Sequence, residues 1–131
     1  MPHKDITVRK IYSNRLIEAG DSQDSDLELL STGKNGVVDL GDFAQVGSFS
    51  TWIKVTGDGS LQLSYLLSQD NINWVQPTGA GPIISGFTSS DGSSGEDLVV
   101  FRPEFARFIK FRASEISTTD PIYFTMLFAV Q

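Results

Sequence analysis

Ile122-Tyr123-Phe124-Thr125-Met126-Leu127-Phe128-Ala129-Val130 is the stretch that decides the fold. Ile122, Phe124, Met126, Phe128 and Val130 recur every second residue, which is the period of a β-strand and not of a helix. The intervening Tyr123, Leu127 and Ala129 are also largely apolar, so the strand is expected to be central and covered on both sides for part of its length. The same period appears upstream. Phe49, Ile53 and Val55 mark one face of a strand over 49–55, with Trp52 on the Ser50/Lys54 face. Leu61, Leu63, Tyr65 and Leu67 mark another over 61–67. The link Thr56-Gly57-Asp58-Gly59-Ser60 between these two runs reads as the turn of a β-hairpin.

Working outward, Arg107 to Arg112 is β-prone with basic residues interleaved, and Asp97 to Phe101 is a strand stopped by Pro103. Gly36 to Leu40 is a shorter strand. Residues 27–30 are ambiguous between strand and helical turn. Ile6 to Tyr12 is a strand or an extended arm. Pro77 to Gly86 and Thr88 to Gly95 are loops by their Gly, Ser, Asp and Pro content. No segment carries apolar residues at helical spacing over three turns. The expected class is all-β, an antiparallel two-sheet sandwich or jelly roll. Residues 1–15 form an arm or first strand, and 16–131 one domain.

The 131 residues carry 16 Asp and Glu against 10 Lys and Arg, a net charge of −6. Phosphate recognition needs excess positive charge, so nucleic acid is not an expected partner. The start, MPHKDITVRK, lacks the apolar core of a signal peptide, and no apolar run approaches the length of a membrane helix, so cytoplasmic synthesis and no membrane contact are expected, with export as the alternative. Charge is segregated. Lys4, Arg9, Lys10 and Arg15 are followed by Glu18, Asp21, Asp24, Asp26 and Glu28, and no Lys or Arg occurs between Val55 and Phe101. Such segregation suits head-to-tail self-association, and equally a set of solvated faces.

Catalytic chemistry is not expected. His3 is the lone histidine and lies beside the terminus, cysteine is absent, and neither a phosphate-binding loop nor a nucleotide-type glycine pattern occurs. No cofactor follows. Asp21, Asp24 and Asp26 form a weak calcium candidate, without the glycine and terminal glutamate of an EF-hand; the alternative is an acidic turn in water. For partner binding the candidates are Trp52, Phe87, Arg102 and Arg107. Trp52 is suited to stacking on a sugar or a subunit, and equally to core packing. Arg107 is placed to pair with Glu104 or Glu115. Ile6, Val8, Arg9, Lys10, Ile11 and Tyr12 compose the arm that would add to a neighbour in a homo-oligomer.

Leu63 to Trp74 runs a strand into a Ser68-x-Asp70 turn, with Trp74 anchoring the exit, and Phe101-Arg102-Pro103-Glu104-Phe105-Ala106-Arg107-Phe108-Ile109-Lys110-Phe111 follows. In this order the two pieces resemble the C-terminal half of discoidin-like (coagulation-factor C-type) jelly rolls, over roughly 61–130. Asn71 stands where the family has Gly, Phe108 and Lys110 stand for its Tyr and Arg, and its terminal disulfide is absent. Its binding loops vary, so no binding residue carries over. The layout is also similar in style to small accessory proteins of tailed-phage virions. The resemblances imply a virion structural component, on a capsid or tail, binding itself and other structural proteins. The alternative they imply is a carbohydrate-binding module, with a glycan as ligand.

Overall fold

The computed structural model describes residues 7–25, 36–40, 49–79, 81–103 and 106–130. Among these the chain is all-β, in two antiparallel sheets packed face to face. The strands are β1 (Thr7–Ile17), β2 (Ser22–Asp24), β3 (Val38–Asp39), β4 (Phe49–Gly57), β5 (Leu61–Ser68), β6 (Ile84–Phe87), β7 (Glu96–Phe101), β8 (Phe108–Glu115) and β9 (Ile122–Val130). The first sheet has the order β1-β9-β4-β7. The second has β2-β8-β5-β6, with β3 also on β8.

The period-two residues build the core. Ile53 and Val55 from β4, Leu61, Leu63 and Leu67 from β5, and Ile122, Phe124, Met126 and Phe128 from β9 all point between the sheets. Phe111 of the second sheet meets Phe128 of the first with ring centroids 5.1 Å apart, and Phe101 closes edge-on against Phe111 at 6.2 Å. Such pairs add to plain area burial.

The structure corrects several expectations. The 49–55 and 61–67 runs are not a hairpin. β4 and β5 lie in different sheets, and 58–60 crosses the end of the sandwich. Each run has one strongly apolar face, and facing each other across the interior buries both. Gly57 takes φ +97°. A Cβ on Gly59 would sit 2.5 Å from the Asp120 carbonyl, so the crossover is packed against the turn before β9. β9 is central between β1 and β4; on its outer side Tyr123 is 43% exposed, while Leu127 and Ala129 are half-buried.

Residues 7–17 belong to the domain's own sheet, as β1 paired with β9, and not to an arm reaching a neighbour. A register shift between Lys10 and Tyr12 breaks the alternation there, so Ile11 and Tyr12 both turn inward and are buried. Arg9 is half-buried, Val8 and Lys10 are exposed, and Ile6 lies outside the described residues. Ile84–Phe87, read as loop in part, is the edge strand β6. Its Gly86 at φ +76° and a register shift at Leu61/Gln62 hide the period. Residues 27–30 lie outside the described residues.

Candidate functional site

An antiparallel sheet with one face on a core ordinarily turns polar residues outward. The second sheet does so. Its outer side carries Gln62, Ser64, Lys110, Arg112 and Ser114, with Leu66 and Phe108 among them; Ser64, Leu66 and Lys110 are buried there, and the Ser22 and Ser114 hydroxyls lie 2.8 Å apart. Arg112 donates to both Asp24 oxygens at 2.6 and 3.1 Å, and Lys110 reaches Asp24 at 3.4 Å. Burial pushes the Asp24 carboxyl up, but Arg112 and Lys110 outweigh it and hold the group below its ordinary value.

The first sheet does the opposite. Reading across its outer side by register, Val8, Ala129, Ser50 and Val100 form one row, and Lys10, Leu127, Trp52 and Leu98 the next. Thr125, Lys54 and Glu96 follow, then Leu16, Tyr123 and Thr56. Leu98 is 64% exposed, Val100 69% and Val8 57%, and Trp52 is half-buried at the centre. Scattered surface apolar residues are ordinary, whereas these lie next to one another across four strands.

The β7 edge beside this patch is guarded. Alternate residues of an antiparallel strand turn their N–H away from the partner strand. Of these, Glu96 exchanges both backbone bonds with Ser93, at 2.8 and 3.3 Å, and Leu98 donates its N–H to its neighbour Asp97 at 2.8 Å. Pro103 follows within two residues of the strand's end. These devices hinder strand addition along Glu96 to Leu98.

At one end of the sandwich lies a shallow cleft of about 300 Å³, lined by Leu67, Gln69, Asn73, Val75, Pro77 and Ala106, with Ser68 and Asp70 beside them. Its floor is the Ser68–Trp74 turn. Asp70 Oδ1 accepts the Ile72 and Asn73 N–H groups at 2.9 and 2.8 Å and the Ser68 hydroxyl at 3.0 Å, while Oδ2 accepts the Asn73 amide at 2.6 Å. Those donors, the Asn73 and Ile72 N–H foremost, hold the Asp70 carboxyl far below its ordinary range. An acid so engaged within its own turn is a closure device. Asn71 sits at φ +62°, where glycine would be unstrained. The half-buried Trp74 ring receives the Lys110 ammonium at 4.8 Å.

The sequence-derived candidates are not brought together. Trp52 lies on the apolar face. Phe87 is a correction: at 4% exposure it belongs to the core, because the end of β6 pairs with Leu61 and turns the ring inward. Arg102 is exposed just past β7. Arg107 does not reach Glu115; it pairs with Asp39 at 3.3 Å and lies over the Phe108 ring. Glu104 lies outside the described residues. As for the calcium candidate, Asp24 is engaged by Arg112 and Lys110, Asp21 Oδ1 caps the Ser22 N–H, and Asp26 lies outside the described residues.

Sequence reasoning missed the role of Glu115. Only 2% exposed, it accepts four backbone N–H bonds: Gly20 at 3.1 Å and Thr118 at 2.8 Å on Oε1, Ser60 at 2.7 Å and Ser117 at 2.9 Å on Oε2. It ties three crossovers at the end opposite the cleft. Neither a family model, nor a curated protein, nor a solved structure matches the chain.

Proposed function

We propose that this chain is a non-enzymatic assembly protein that works through protein–protein contacts on the outer face of the β1-β9-β4-β7 sheet. The observation that carries this reading is the contrast between the two outer faces, one polar and internally paired, the other apolar from Val8 to Val100. A small ligand prefers a concave site that buries most of its surface. An apolar face spread across four strands suits a protein partner. The strand order, with first and last strands adjacent in one sheet and crossovers linking the two, supports a jelly-roll reading of the sandwich. The setting we propose is a virion, as a capsid-decorating or tail accessory component.

Co-expression with the products of the neighbouring genes tests this. The wild-type chain is expected to co-purify at fixed stoichiometry with one of them, and L98E/V100E, still folded by circular dichroism, is expected to lose it. A glycan array giving hits that L98E/V100E leaves intact, with no protein complex, supports the carbohydrate-binding alternative instead.

A further inference from the structure

The apolar face carries its charges asymmetrically. Lys10 stands on β1 at one edge of the sheet and Glu96 on β7 at the other, with Leu127, Trp52 and Leu98 between and Lys54 on β4 beside Glu96. A two-fold axis parallel to the strands, lying between two such faces, exchanges left and right and keeps each row level. We propose that the face docks on a second copy of this chain about such an axis, with β1 of each copy over β7 of the other; this rests on the assembly reading above. Val100 then meets Val8, Trp52 meets Leu127, and Lys10 lies over Leu98, one row from Glu96. That row step is two residues along a strand, about 6.6 Å, within reach of a lysine side chain. A two-fold axis perpendicular to the strands, midway between the two rows, would instead set Lys10 and Glu96 each one row from its own copy, so charge selects the first arrangement. An isologous contact of this kind closes at two copies. The Ser93 and Asp97 guards on β7 favour face-to-face packing over a sheet continued edge to edge.

The absence of cysteine makes a clean test. In one molecule Val8 and Val100 are three strand spacings apart, about 14 Å, too far for a disulfide. Facing sheets stacked about 10 Å apart are also beyond a disulfide, so a bis-maleimide linker spanning about 10 Å is used. Mixing V8C with V100C is expected to give a linked pair, while V100C alone, about 17 Å from its copy, stays unlinked and light scattering on wild type gives a dimer mass. K10E and E96K are each expected to weaken dimerisation by about tenfold, as close charge pairs do, and K10E/E96K to restore it. Cross-linking of V100C to itself means edge-to-edge pairing and overturns the proposal. So does a monomer at millimolar concentration, or a double charge swap that fails to restore. If the monomer still joins a neighbouring-gene product through Leu98 and Val100, self-docking is wrong and the assembly reading stands; if it does neither, both are wrong.

Discussion

Replacing Glu115 by Gln tests how the end of the sandwich is held. The carboxylate accepts four backbone N–H bonds, from Gly20, Ser60, Ser117 and Thr118. A glutamine keeps the shape but turns an NH₂ toward two of these donors. Hydrogen bonds to a charged acceptor contribute about 1.5–3 kcal/mol each, so losing two costs about 4 kcal/mol. With an unfolding entropy of about 2.1 cal/mol/K per residue, that lowers Tm by roughly 15 °C. The pH dependence gives a second reading. Burial raises the Glu115 pKa, but the backbone donors outweigh it and bring it to about 2, from 4.5 for an unperturbed glutamate. A folded-state value below the unfolded one means stability that is full above pH 4.5 and is lost as pH falls toward 2. The gap corresponds to about 3 kcal/mol at most. Thermal melts of wild type and E115Q from pH 6 to pH 2 are the assay. The difference is expected to be largest above pH 4.5 and to shrink below it. Asp24 and Asp70 titrate in both proteins and cancel. Melts within 3 °C of one another, or a gap independent of pH, would refute the reasoning.

Thr51 faces the core of β4 with its hydroxyl buried and, among the described residues, without a hydrogen-bond partner; T51V is expected to stabilise by about 1 kcal/mol, read by urea unfolding. The fully buried Tyr12 hydroxyl lies 2.6 Å from the Gln23 carbonyl and 3.1 Å from that of Phe111, tying β1 to the second sheet; Y12F is expected to cost about 1–2 kcal/mol. D24N takes the shared acid from Arg112 and from Lys110, whose side chain is only 9% exposed, and is expected to cost about 2–4 kcal/mol.

The core was legible wherever one strand buries one face. β4 and β9 alternate, and β5 keeps apolar residues at 61, 63, 65 and 67 although Leu66 is also buried, so Phe49, Leu61 and Phe124 could be assigned before any fold was known. What failed was partnering. The Gly57–Ser60 link has hairpin composition, and only the position of Pro121 and Glu115 against it shows that it changes sheets. β2 and β6 escaped because three or four residues at an edge, with Gly86 at positive φ, leave no period to read. Glu115 escaped because two of its four partners are backbone amides 55 and 95 residues away, which no motif encodes. The apolar outer face was half visible: Trp52 stood on it, while four consecutive apolar residues, Leu98 to Phe101, gave no sign that Leu98 and Val100 are the two that face outward.

Trp52 gives the most direct test of that face as the working surface. The chain has two tryptophans, so W74F leaves Trp52 as the sole emitter at the centre of the patch. Acrylamide quenching of its fluorescence is measured on the dilute chain and on the assembled form, whether self-associated or bound to a neighbouring-gene product. The account predicts strong quenching when dilute, and a blue shift with several-fold weaker quenching on assembly. Equal quenching in the two states, with assembly confirmed by light scattering, would contradict it.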